Sequence, residues 1–367
     1  MKATARKYLW LAVRVLVSAA CIFLVVRQLQ WSDLFDEQGN LVSQGVVTLF
    51  GNVFRNGNWW FLVPAVLSYM LSPVFGAWRW RMLLRIQGIR LTFLESWRLT
   101  YIGFFFNTFM PGVTGGDIVK AYYASKCTDR KAEAVATVFL DRVLGMLGMG
   151  LLCICVLAMQ WRSPAIADAR WHLFGGLGLS IREVILAFLG FAALGALVVY
   201  SRRVRRWLQV ERLINRLPFQ KMVKRLDEAV FIYRHHRVTV LAAILQSWCA
   251  HAVSIASVYF SARALGLDPS PVYFFIFMPL VWILSSFIPS VGGLGPMEGL
   301  SQEFFTAAVL GLPGQQAALS QAVNMIVLFR LVMFAAVLPG GWLHIRHSDV
   351  SMRQARSEME NMEGGDG

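Results

Sequence analysis

An apolar segment broken by proline and glycine occurs twice in this chain, as FMPGVTGGD from Phe109 to Asp117 and as FIPSVGGLGPME from Phe287 to Glu298. Aligning Phe109 with Phe287 also matches Pro111 with Pro289, Val113 with Val291 and Gly115 with Gly293. Proline donates no backbone hydrogen bond and glycine weakens a helix, so neither run continues as a regular helix through its break. Paired breaks at equivalent places in two halves of a membrane chain point to inverted repeats, with a substrate site built from discontinuous helices near the bilayer midplane. The pattern predicts transport.

Composition supplies the membrane: 57% of residues are hydrophobic and only 15% charged, too few to cover a soluble surface. Apolar runs near the roughly 20 residues that cross the hydrocarbon core occur at Tyr8 to Val26, Trp59 to Trp78, Ala134 to Gln160, Glu183 to Tyr200, Val238 to Ala262 and Ala317 to Ile345. Two further stretches, Leu99 to Pro111 and Val272 to Pro289, run into the broken motifs and are followed by short helices, as the descending arm of a re-entrant hairpin would be. The expected fold is all-α: a polytopic integral membrane protein of six transmembrane helices plus two oppositely oriented re-entrant hairpins in two inverted repeats.

Charge distribution tests this layout, because Lys and Arg in short loops collect on the cytoplasmic side. Lys2, Arg6 and Lys7 precede the first span, Arg79, Arg81, Arg85, Arg90 and Arg98 follow the second, and Lys126, Arg130 and Lys131 precede the third. The densest basic stretch, from Arg202 to Arg237, joins the fourth span to the fifth. The loop after span one instead carries Asp33, Asp36 and Glu37 against Arg55, whereas Arg162, Arg170 and Arg182 run against the rule in the third outside loop. Both termini are expected in the cytoplasm, with the protein in the cell's inner membrane.

The corresponding organisation is a first repeat over 1–160, an outside loop and fourth span over 161–200, a basic amphipathic linker over 201–237, the remainder of the second repeat over 238–345, and a disordered tail over 346–367. The second repeat starts near residue 183. Equivalent features keep an offset of roughly 175 to 190 residues. A plain helical bundle with Gly and Pro at kinks is the alternative.

Several function classes are excluded or demoted. The apolar run through Ser18, Ala19, Ala20 and Cys21 continues to Val26, past any lipoprotein cleavage point, so the first segment reads as a span. Five cysteines and six histidines show no metal-ligand spacing, and no phosphate loop or soluble catalytic motif is present. The net charge of +14 sits beside the membrane and reads as topology, with no nucleic-acid partner and no cofactor expected.

Charged residues deep in apolar sequence carry the mechanistic reading, since such residues are costly and face a cavity or a partner. Asp141 and Arg142 interrupt the third span at FLDRVLGML, and Arg330 interrupts the sixth at VLFRLVMF. Adjacent helical residues diverge by about 100 degrees, so Asp141 and Arg142 have different partners. Arg142 and Arg330 together suit a phosphate, which forked guanidinium donors clamp; the alternative pairs Arg330 with Asp141 or Glu298. Asp117 and Glu298 open the short helices after the breaks, where a carboxylate complements the helix dipole or serves a proton, cation or arginine site. Asn107 precedes the first break and offers hydrogen bonds to backbone or headgroup. Gly115, Gly116, Gly292, Gly293 and Gly295, with Pro111 and Pro289, form the backbone of the expected binding loops.

These segments, NTFMPGVTGGDIVKAYY, FLDRVLGML, FIPSVGGLGPMEG and the late LFRLVMF, resemble the lysylphosphatidylglycerol synthase transmembrane region family, the flippase-like domain also found in multiple peptide resistance factors. The resemblance covers residues 8 to 345. It implies a membrane domain that moves a lipid headgroup between leaflets. In the full resistance factors this domain moves aminoacylated phosphatidylglycerol while a separate soluble domain makes it; no such soluble domain is expected in this chain. Other relatives are labelled dolichol-phosphate sugar transferases, which leaves anionic phospholipid, glycolipid and polyprenyl phosphate as substrates. The expected function is a flippase and not an enzyme. An integral-membrane glycosyltransferase with Asp117 or Asp141 as base, or a noncatalytic partner of a lipid-modifying enzyme, is the alternative. Expected partners are membrane lipids, a further copy of the chain, or a separate lipid-modifying enzyme.

Overall fold

The structure is a computed structural model that describes residues 32–35, 39, 41–43, 46–55, 58–109, 115–160, 170–173, 177–180, 183, 186–187, 190, 207, 209, 232–286, 295–312 and 314–363. The span expected at Tyr8–Val26, nearly all of that at Glu183–Tyr200, most of the basic linker, and Pro111, Pro289, Gly292 and Gly293 lie outside the described residues.

Within them the chain is an all-α integral membrane protein. Four helices are long and apolar enough to cross a bilayer, covering Trp59–Ile86, Lys131–Met159, Arg237–Ala264 and Ala317–Arg346. All four fall on expected spans. Two short antiparallel hairpins, β1 (Leu34–Phe35) with β2 (Leu41–Ser43) and β3 (Arg170–Leu173) with β4 (Leu177–Ser180), occupy connections and add no layer to the fold. The helix α1 (Val46–Arg55) was not anticipated; its Leu49 and Val53, one turn apart, are buried beside Ala264 and Leu328.

The first half continues with α2 (Leu62–Ile86), α3 (Phe93–Phe109), α4 (Gly115–Lys126) and α5 (Lys131–Met159). The second half supplies α6 (Arg237–Ala264), α7 (Pro271–Ser286), α8 (Pro296–Phe304), the single turn α9 (Ala307–Leu310) and α10 (Gln315–Glu363). Thus each half has a long helix, a shorter one that ends at the break, a short helix beyond it, and a second long helix.

The correspondence extends to the caps. Helix α2 ends at Gly88 with φ +74°, where Ile89 N–H donates to Leu84 C=O and Gly88 N–H to Arg85 C=O. Helix α6 ends at Gly266 with φ +80°, where Leu267 N–H donates to Ala262 C=O and Gly266 N–H to Arg263 C=O. This double bond pattern needs a left-handed residue after the cap, which glycine adopts without steric cost. Gly88 and Gly266 stand at the same offset as Phe109 and Phe287.

Packing repeats the relation. Helices α2 and α6 form the most extensive contact and lie against each other across the two halves. The pairing of α3 with α4 is matched by α7 with α8, and α4 with α5 by α8 with α10. Across the halves, α3 packs on α10 just as α7 packs on α5. Small residues permit these approaches: an added Cβ at Gly340 would stand 2.4 Å from the Tyr101 carbonyl oxygen, and one at Gly148 would stand 2.4 Å from Ser247 Cβ. Val63, Leu67, Leu71 and Trp78 on the outer face of α2, with Trp59 and Trp60 in the 3-10 turn before it, remain exposed, as a lipid-facing surface requires.

Helix α10 runs unbroken to Glu363, through most of the tail that composition reads as disordered. The tail is rich in Met, Arg and Glu and contains no proline, so local propensity permits the helix to continue.

Candidate functional site

The broken motif of each half delivers a carboxylate to an arginine on the following long helix. In the second half, Arg330 Nε donates to Glu298 Oε1 at 2.6 Å and Arg330 Nη2 donates to Glu298 Oε2 at 3.1 Å. Glu298 Oε2 also accepts the Gly295 N–H at 2.9 Å, the reach-back bond that closes the start of a helix. One carboxylate therefore caps α8 and pins it to α10. The Arg330 side chain is 1% exposed and that of Glu298 16%.

In the first half, Arg142 Nε lies 2.5 Å from Asp117 Oδ2, joining α5 to the start of α4. This pair is more open: the Arg142 side chain is 41% exposed and that of Asp117 17%. The buried Asp117 Oδ2 accepts no aligned hydrogen bond, so the contact is an ion pair whose N–H groups are not committed to the carboxylate. Asn107 performs the capping here, its Oδ1 accepting the Gly116 N–H at 2.8 Å. The approach is close enough that a Cβ on Gly116 would fall 1.8 Å from the Gly103 carbonyl oxygen.

Asp141 faces another way from Arg142, as their helical divergence demands. Its Oδ1 accepts Arg79 Nε at 2.7 Å and its Oδ2 accepts Lys120 Nζ at 3.2 Å. Arg79 Nη1 also donates to Ser247 Oγ at 2.7 Å, so the cluster links α2, α4, α5 and α6. Lys120 Nζ lies 4.1 Å from the centre of the Trp80 ring, whose Nε1 donates to Thr137 Oγ1 at 3.2 Å. Arg79, Lys120 and Asp141 are all buried. The absence of a side chain on Gly145 makes room for the Arg79 guanidinium.

The expected site residues thus separate into two arginine–carboxylate pairs and a third, buried cluster. Two amides expected to face a phosphate, those of Gly116 and Gly295, have intramolecular acceptors in Asn107 and Glu298. Arg330 and Glu298 come together as the ion-pair alternative has it, while the two oxygens of Asp141 are engaged by Arg79 and Lys120. Sequence reasoning missed Lys120 and misread Arg79. Arg79 counted as a loop charge because the apolar run stops at Trp78, yet α2 continues for two further turns and carries Arg79 inward. Lys120 had a usable signal: it stands three residues after Asp117 on a short helix, on the face that reaches α5.

Residues 11–341 match the family described as lysylphosphatidylglycerol synthase TM region. The chain belongs to this family. It is also similar to a UPF0104 membrane protein of Pyrococcus horikoshii, with 24% identity over 302 residues that make up 78% of this chain and 87% of the relative. A UPF0104 membrane protein of Methanocaldococcus jannaschii is 32% identical over 94 residues, 25% of this chain and 28% of the relative. No solved structure matches.

Proposed function

We propose that this member of the lysylphosphatidylglycerol synthase TM region family is a flippase that moves a phosphate-bearing lipid or lipid-linked headgroup between leaflets. The observation that carries the reading is the repeated pair, Asp117 with Arg142 and Glu298 with Arg330, at the equivalent break of each half. Charges held at broken helices inside a membrane protein mark substrate or ion pathways, because their desolvation is too costly to be idle. A pair that is sealed in one half and open in the other suits alternating access: one arginine meets the headgroup while the other is held by its carboxylate.

In this reading the spans at about 8–26 and 183–200 complete three per half. An odd number inverts the second half relative to the first, which gives two re-entrant hairpins entering from opposite sides, and both termini in the cytoplasm of an inner-membrane protein. Arg142 and Arg330 bind phosphate in turn. Asp117 and Glu298 hold them between turns, and Pro111, Gly115, Pro289, Gly292 and Gly293 line the polar loops. The acyl or prenyl chains remain in lipid. Membrane lipids are the partners of the cycle.

A glycosyltransferase would need a carboxylate free to accept a proton. Asp141 has both oxygens engaged by cations and Asp117 is held against Arg142, which favours transport over that chemistry. The two readings part when purified protein is supplied with a lipid-linked sugar. Accelerated transbilayer movement without transfer to an acceptor supports the flippase; transfer without movement overturns it.

A further inference from the structure

The two halves match in fold and in one ion pair, yet not in charge. Helix α4 carries Asp117 and, one turn on, Lys120; helix α8 carries Glu298 and, at the same step, Ser301. Helix α5 carries Asp141 before Arg142, whereas α10 carries Phe329 before Arg330. The second-half pair is therefore neutral. The first half brings Arg79, Lys120 and Arg142 against Asp117 and Asp141, a surplus of one positive charge.

That surplus is buried. Lys120 is 4% exposed and Arg79 8%, and their other partners, Ser247 and the Trp80 ring, are neutral. Among the described residues no further ion pair reaches the cluster. Burying a net charge in a low-dielectric site is unfavourable until an opposite charge joins it. Among the described residues of these pairs the open position for such a charge is Arg142, which is 41% exposed and makes no aligned hydrogen bond to Asp117. Lys120 stands one helical turn along α4 from Asp117, the carboxylate that holds Arg142, so its charge acts beside that opening.

We infer that the first half binds a headgroup of net charge −1, a phosphodiester monoanion with no compensating amine, with Arg142 as its direct contact and Lys120 as the residue that sets the charge preference. This narrows the substrate of the proposed flippase and rests on that reading. Zwitterionic and cationic headgroups bring no net negative charge and leave the surplus unbalanced. The Glu298–Arg330 pair balances its own charge, so among the described residues the preference is written into the first half.

The test compares three fluorescent lipids in reconstituted liposomes: phosphatidylglycerol, phosphatidylcholine and lysylphosphatidylglycerol. Wild-type protein is expected to move phosphatidylglycerol about ten-fold faster than the other two, the scale of one partly screened charge nearby. Lys120→Met leaves Arg79 and Asp141 as a neutral pair and should abolish that advantage, while Lys120→Arg should retain it. Equal movement of all three lipids by wild-type protein overturns the inference without touching the flippase reading, and so does an unchanged preference in Lys120→Met. Should Lys120→Met not fold, the wild-type ratio still decides. Movement of none of the three overturns the inference; the flippase reading is overturned only if glycolipid and polyprenyl phosphate fail to move as well.

Discussion

Glu298 accepts two hydrogen bonds from Arg330, whereas Asp117, at the same place in the other half, meets Arg142 through a single unaligned contact. The same carboxylate–guanidinium chemistry thus exists in a sealed and an open form within one molecule. Removing one partner from a sealed pair leaves a charge with no counter-ion, which costs about 3–5 kcal/mol; removing both leaves none. Arg330→Gln and Glu298→Gln should each lower thermal stability in detergent strongly, and the double variant should recover much of the loss. Additive losses in the double variant would show that the two side chains do not act as a pair.

Among the described residues Asp141 is the carboxylate that bridges Arg79 and Lys120. Asp141→Asn leaves two buried cations facing each other, so its cost should reach the same range of about 3–5 kcal/mol. Asp117→Asn acts on a more open pair and should cost about 1 kcal/mol or less. Denaturation of both variants in one detergent gives the order; a larger loss in Asp117→Asn would contradict the burial argument.

Gly116 and Gly299 both follow a break, in equivalent short helices, and the structure separates their roles. A methyl group on Gly116 would collide with the backbone of α3, while one on Gly299 would meet nothing within 4 Å. Gly116→Ala should force α3 from α4 at a cost of about 3 kcal/mol or more. Gly299→Ala should be neutral or stabilise by up to about 1 kcal/mol through helix propensity. Thermal midpoints of the two variants decide it.

Inversion of the halves has its own test at Thr114 and Gly292. Single cysteines placed there on a cysteine-free background should be labelled from the cytoplasm and from the outside, respectively, and labelling of both from one side would sink the inverted arrangement. The native Cys127 calls for its removal from that background. Desolvation and the nearby Glu95 carboxylate push its thiol above the ordinary value, so less thiolate is present at neutral pH and its reaction with maleimide should accelerate as pH rises toward the alkaline range.

The four described spans were legible because apolar runs near bilayer thickness have few other uses, and the short helices were legible because a sequence with proline and glycine in succession does not carry a helix onward. The pairing of Arg330 was left open in the sequence between Asp141 and Glu298, since intervals along a chain do not say which helices meet. Asp141 and Arg142 were assigned different partners from helical geometry, and the structure gives them different partners. What escaped was the buried Arg79 and Lys120. An arginine at the end of an apolar run looks like a loop charge until the helix is seen to extend beyond it. The matching glycine caps at Gly88 and Gly266 escaped too, because a single glycine after a helix has many causes and only the paired hydrogen bonds reveal a shared one.

Transbilayer movement of phosphate-bearing lipids by the purified, reconstituted protein, without nucleotide, tests the central claim most directly. Wild-type protein should speed movement of at least one such lipid over empty liposomes, Arg142→Gln should lower that rate about ten-fold or more while remaining folded, and the stability-compensated Glu298→Gln/Arg330→Gln variant should lower it as well. No acceleration of any phospholipid, glycolipid or polyprenyl phosphate, or full activity in both variants, would contradict the account.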